Sequence, residues 1–182
     1  MKKTCSTLSG VLTILLFLFT VPFANATTRT SNAVIGLWNV TGSWALGVVP
    51  LSTDDVTIVA GANISLAGNT TCANLTINSS GTLTGAGKTL TVTVTFNNYG
   101  TFTSGSGNAM TFSAVPCYNY GTIAVVVGKN FSFTSGSFTN EGTLTIGSSP
   151  NFSTATFDFQ TYPNIIVFSN SSSFNLPDIR GI

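Results

Sequence analysis

The sequence predicts an all-β fold: a right-handed parallel β-helix, or solenoid, of about five to six coils with a tryptophan-containing cap at its N-terminal end. Three observations predict it. A glycine turn recurs at Ser79-Ser80-Gly81-Thr82, Asn98-Tyr99-Gly100-Thr101, Asn119-Tyr120-Gly121-Thr122 and Asn140-Glu141-Gly142-Thr143, with 19, 21 and 21 positions between successive glycines. Repeats of that length, rich in β-formers, stack as coils. Apolar residues also keep fixed offsets from these glycines, as a solenoid requires of its inward side chains. Finally, β-branched and aromatic residues dominate while glycine recurs throughout, which disfavours helix.

The first segment reads as a targeting signal. Lys2 and Lys3 precede an apolar run from Leu8 to Phe23, and Ala24-Asn25-Ala26 offers small residues for a signal peptidase. The run is at the short end for a retained membrane anchor, which is the alternative. Residues 1–26 are therefore expected to be a signal peptide. Removing 26 of 182 residues leaves 156, enough for one domain.

Charge is nearly absent. The chain has six basic residues, five acidic ones and no histidine, for a net charge of +1. Without a basic run it has no electrostatic handle for nucleic acid or for an anionic membrane. Hydrophobic residues make up 43% of the chain and phenylalanine numbers fourteen, which excludes disorder. Cys72 and Cys117 fall two coils apart, an axial separation of roughly 10 Å. A disulfide tolerates roughly 7 Å between Cα atoms, so both are expected to be buried free thiols.

Residues 27–66 are assigned to the cap and first strand. Trp38, Trp44 and the Gly47-Val48-Val49-Pro50 turn precede Asp54-Asp55-Val56-Thr57-Ile58, placing bulky residues where a solenoid must cover its open end. These motifs resemble the opening of secreted, adhesin-like β-helix proteins of Bacteroidetes exported by the type IX system. They are similar, more distantly, to the eight-glycine domain of some extracellular animal proteins. The resemblance spans Trp38 to Gly121. It implies a surface β-helix whose activity commonly resides in other domains, although the sorting domain usual at the C-terminus of such proteins is not found here.

The coils occupy residues 67–168. Two positions after the glycines stand Leu83, Phe102, Ile123 and Leu144; four before stand Ile77, Phe96, Cys117 and Phe138. Six before come Leu75, Val94 and Val115, with Gly136 as the exception. Ten after come Met110, Phe131 and Phe152, and twelve after come Phe112 and Phe133. Gly61 extends the period backwards, and Pro163 takes the next corner forwards, with Phe157 and Phe159 before it and Ile165 after. A β-sandwich, the competing architecture, would not keep such columns at a fixed period. Residues 169–182 lose the pattern and read as an irregular tail: either an end cap or a truncated coil with an unpaired edge.

Candidate sites follow from the same columns. Asn98, Asn119 and Asn140 stack two before the glycines and read as an internal amide ladder, with a sugar-binding row as the alternative. Tyr99 and Tyr120 form an outward pair, either cover for the backbone or a platform on which a sugar could stack. Thr82/Thr84, Thr101/Thr103 and Thr143/Thr145, with Thr122/Ala124 between, form an outward Thr-x-Thr array. Such arrays resemble the ice-binding face of β-solenoid antifreeze proteins, although threonine is also a common residue of exposed strands. The acids Asp54, Asp55, Glu141, Asp158 and Asp178 fall in different columns and form no visible lyase-like pair. Asp54-Asp55 suits a turn with an Asp bonded to backbone better than a calcium site. Eight Asn-x-Ser/Thr sequons, from Asn39 to Asn170, are ordinary in such a composition.

The functional expectation is a secreted or cell-surface structural, adhesin-like module, non-catalytic and without metal or cofactor. Its expected partners are a surface glycan or another β-solenoid segment. Ice binding is the alternative, and polysaccharide binding or lyase-like action a further one.

Overall fold

The computed structural model describes residues 26–105, 110–112, 116–125, 131–133, 137–146, 152–153, 156–158, 165–168 and 179–180. Residues 1–25, Phe159, Pro163 and Asp178 lie outside these, as do Val115, Gly136 and most of residues 169–182. The strands are β1 Thr28–Thr30, β2 Ile35–Leu37, β3 Asp55–Ile58, β4 Asn63–Ser65, β5 Thr70–Ile77 and β6 Thr82–Thr84. They continue as β7 Leu90–Asn98, β8 Thr101–Thr103, β9 Met110–Phe112, β10 Cys117–Asn119, β11 Thr122–Val125 and β12 Phe131–Phe133. The last are β13 Ser137–Asn140, β14 Thr143–Ile146, β15 Phe152–Ser153, β16 Thr156–Asp158, β17 Ile165–Phe168 and β18 Ile179–Arg180.

These strands pair in parallel from coil to coil, so the protein is a β-solenoid. One ladder runs β1-β3-β5-β7-β10-β13-β16-β18, and a second runs β2-β4-β6-β8-β11-β14-β17. A third begins with Thr70–Cys72 of β5 against Leu90–Val92 of β7 and continues through β9, β12 and β15. A register shift between Cys72 and Asn74 carries β5 from the third ladder into the first. The coil number differs slightly from five to six, because the segment read as a cap supplies β1 and β2 as a rung of its own.

The inward columns are closed to water. Ile64, Leu83, Phe102, Ile123 and Leu144 are buried on the second ladder, in register with one another. Val56, Leu75, Phe96, Cys117 and Phe138 do the same on the first. At the N-terminal end Trp38 and Trp44 pack edge to face at 5.1 Å. Trp44 Nε1 donates to the Trp38 carbonyl at 2.7 Å. Gly36 stands in the inward column opposite Ile64, and the Ser43 side chain occupies the space a Cβ would need. The tryptophans thereby plug the core where, among the described residues, no further coil covers it.

Three column assignments are corrected. Leu75 pairs with Phe96 and Ile77 with Asn98, so Val94 does not belong to the inward column and is 48% exposed. The cause is corner length. Four residues separate Ile77 from Thr82, whereas two, Tyr99 and Gly100, separate Asn98 from Thr101. Counting from glycine therefore misplaces the preceding strand by two. Similarly, Ile165 aligns with Thr143, and Ile166 takes the place opposite Leu144, a one-residue offset. Finally, Gly61 is not the counterpart of Gly81. Thr82 N donates to Ala62 O as Thr101 N does to Gly81 O, so Ala62 occupies that corner column. Gly61 has φ +76°, a left-handed conformation that Ser80 adopts one coil later at φ 60°.

The later corners need glycine for a different reason. None of Gly81, Gly100, Gly121 or Gly142 has positive φ. A Cβ on Gly121 would run into the Gly100 carbonyl oxygen, and one on Gly142 into that of Gly121. Gly42 has nothing within 4 Å of its Cβ position. Gly121→Ala should therefore cost about 1–3 kcal/mol by overpacking, while Gly42→Ala should stay within about 0.5 kcal/mol. Urea unfolding of both variants measures the contrast.

Candidate functional site

At the two-residue corners the inward column changes from aliphatic to amide: Ile58 and Ile77 are followed by Asn98, Asn119 and Asn140, all buried. A short corner turns backbone carbonyls inward, and these need donors. Asn98 Nδ2 donates to Asn119 Oδ1 at 2.7 Å and to the Thr122 carbonyl at 3.0 Å. Asn119 Nδ2 donates to Asn140 Oδ1 at 2.6 Å and to the Thr143 carbonyl at 3.1 Å. Asn140 Nδ2 closes on Gly142 O at 3.0 Å. The ladder is internal. Its first acceptor, Asn98 Oδ1, has no hydrogen-bond partner, because the coil beneath presents Ile77 in that column.

The Thr-x-Thr array is in register. Thr82, Thr101, Thr122 and Thr143 form one column of the second ladder; Thr84, Thr103, Ala124 and Thr145 form the other, all half-buried. A second hydroxyl column, absent from the sequence reading, lies on the third ladder: Thr71, Thr91, Thr111, Ser132 and Ser153 share one register. Its signal was the polar residue between each pair of apolar columns, as in Met110-Thr111-Phe112 and Phe131-Ser132-Phe133.

Tyr99 and Tyr120 stack at 5.0 Å with planes 6° apart, and Tyr118, also missed, stacks on Tyr120 at 6.3 Å and 14°. Parallel rings at 5.0 Å overlap face to face rather than lying side by side. The Tyr99–Tyr120 pair therefore does not form a flat sugar platform. Its geometry suits backbone cover. Burial, followed by the nearby Glu141, Tyr99 and Tyr118, raises the Tyr120 pKa.

The cap acids are engaged in structure. Asp54 Oδ2 accepts from Arg29 Nε and from the Leu51 amide, both at 2.9 Å, while Asp55 Oδ1 accepts from Asn74 Nδ2 at 2.6 Å. Burial pushes the Asp54 pKa up, but the Leu51 amide, Arg29 and the Thr27 backbone together hold it below its ordinary value. Glu141 is exposed at a corner, and Asp158 aligns with Thr139 and Arg180. Among the described residues no three His, Cys, Asp or Glu side chains gather to hold a metal. Cys72 and Cys117 are free and buried on different ladders. Burial, with Asp55 nearby, pushes Cys72 up to about 12, and burial raises Cys117 well above the usual thiol range.

Between the cap loop and the third ladder lies an open groove of about 440 Å³, lined by residues that include Leu51, Ser52, Asn69, Thr71, Thr89 and Thr91. Pro50, one of the cap residues singled out in the sequence, is buried at its edge. Among the described residues no helix is long and apolar enough to cross a membrane. No family model, curated protein or solved structure matches the chain.

Two predictions follow from the bonds of the ladder and the cap. Asn119→Ala strips hydrogen bonds from both amide neighbours and from the Thr143 carbonyl, so it should cost about 2–4 kcal/mol, against about 1–2 for Asn98→Ala, whose oxygen already lacks a partner. Chemical denaturation of both variants tests that order. The lowered Asp54 pKa contributes stability that is full above the unfolded carboxylate value near pH 4 and is lost as pH falls through the folded value. The unfolding midpoint should drop below about pH 4, and Asp54→Asn should flatten that drop while lowering stability at pH 7.

Proposed function

We propose that the chain is a non-catalytic structural or adhesive β-solenoid module of a secreted or cell-surface protein, with residues 1–26 removed as a signal peptide. The observation that carries this reading is the outward chemistry of the ladders: uncharged hydroxyl columns repeat from coil to coil. A rigid surface of this kind offers many individually weak contacts at one spacing, and a partner that repeats sums them. The resemblance of the Trp38-to-Ile58 opening to surface β-helix proteins points the same way. A surface glycan or another β-solenoid segment suits such a surface, and nothing in this role calls for a cofactor. Protein expressed from the full chain should leave the cytoplasm with its N-terminus near Thr27, and should adhere to glycan-bearing cells or self-associate in sedimentation. A monodisperse product that adheres to nothing sinks the proposal.

A second reading is favoured by one observation, the register of the Thr-x-Thr array over β6, β8 and β14. Paired hydroxyls at regular spacing on a stiff face suit the surface of ice. In that case thermal hysteresis should be measurable and should vanish in Thr103→Tyr, which interrupts the array at its centre. Absence of hysteresis at millimolar protein disposes of this reading.

A further inference from the structure

We infer that the third ladder, starting in the groove beneath the cap loop, binds a neutral, linear polysaccharide chain. The inference rests on the surface-module reading and names the partner and the place. The groove has an apolar side in Leu51, which is 62% exposed, and a polar side of hydroxyls and one amide. That combination suits a sugar ring, which has an apolar face and a hydroxylated edge.

Among the described residues the hydroxyls of Ser52, Thr71, Thr89 and Thr91 have no hydrogen-bond partner. Asn69 uses its Oδ1 to accept from the Thr89 amide at 3.0 Å, which fixes the side chain and leaves Nδ2 as a donor. Among the described residues no charged side chain lines the groove. An acidic polysaccharide would find no counter-charge there, and its desolvation would go uncompensated. A neutral one loses nothing on that count.

The register supplies the case for a chain rather than a single sugar. Beyond the groove the column continues through Thr111, Ser132 and Ser153, one hydroxyl residue per coil. Coils repeat at about 4.8 Å, so the backbone register sets one hydroxyl-bearing residue above the next at an even spacing along the solenoid axis. A ligand that itself repeats can use several of them at once. The Thr-x-Thr face shares the hydroxyls and the repeat, but the groove opens on the third ladder.

Affinity electrophoresis of protein from the full chain tests this, with soluble neutral glucan, xylan and mannan in the gel and polygalacturonate as the acidic comparison. At least one neutral polymer should retard the protein, and Thr91→Arg should weaken that retardation at least tenfold. Ser79→Arg, at an exposed corner outside the groove, should leave it unchanged. If Thr91→Arg melts early by circular dichroism, Leu51→Asp on the exposed cap loop takes its place, with the same loss expected. Retardation by polygalacturonate alone overturns the inference, as does retardation that Thr91→Arg and Leu51→Asp leave intact or that Ser79→Arg abolishes. Adhesion to cells without retardation by any neutral polymer overturns it too, while leaving the surface-module reading in place.

Discussion

The constraint on which the rest of this structure depends is the direct contact of one corner's backbone with the next. Between Gly100, Gly121 and Gly142 there is no room for a side chain, because each glycine's Cβ position is already filled by the carbonyl oxygen one coil before. Such contact brings successive coils to β-sheet spacing at the corner itself, where a bulkier residue would force them apart. The strands on either side then pair in uninterrupted register, and their inward residues superimpose. Glycine acts here through absence of volume. Conformational freedom is used elsewhere, at Gly61, in the longer corner of an earlier coil.

A tight corner raises a second problem, and the buried amides answer it. Carbonyls of Thr122, Thr143 and Gly142 receive side-chain donors from Asn98, Asn119 and Asn140, and the amides also bond to each other along the axis. In the coils with longer corners the same column holds Ile58 and Ile77. Corner length and column chemistry thus change together, at one place in the chain. At the opposite edge of the core the aromatic plug of Trp38 and Trp44 meets a different demand, that of a hydrophobic interior beyond which the described residues form no further coil.

The all-β solenoid, its parallel stacking and the Asn ladder were legible in the sequence because each leaves a periodic trace: glycine, apolar column and amide all return at nearly one interval. What escaped was anything that depends on where a loop spends its residues. Val94 looked inward because its offset from Gly100 matched that of Leu75 from Gly81, yet the two corners differ by two residues. Gly61 looked like another corner glycine although Ala62 fills that column. Tyr118 was hidden because it lies on the strand rather than in the turn, and the face-to-face stacking of Tyr99 on Tyr120 depends on ring orientation, to which spacing is blind. Among the candidate sites, the Thr-x-Thr pairs could be read directly from spacing. The groove could not, since it brings together a cap loop and strands about twenty and forty residues further on.

The unpartnered Asn98 oxygen marks a seam between two kinds of coil. On its N-terminal side a coil of 19 residues carries aliphatic residues in the corner column; on its C-terminal side coils of 21 residues carry amides and a shorter turn. A coil of the second kind, copied and inserted next to its like, meets matching carbonyls, matching amides and a glycine beneath its glycine. Inserted instead between Ile58 and Ile77, it would set its amide against isoleucine on both sides. A duplicated coil of the amide kind therefore matches its neighbours on the C-terminal side of Asn98 and mismatches them among the aliphatic coils before it.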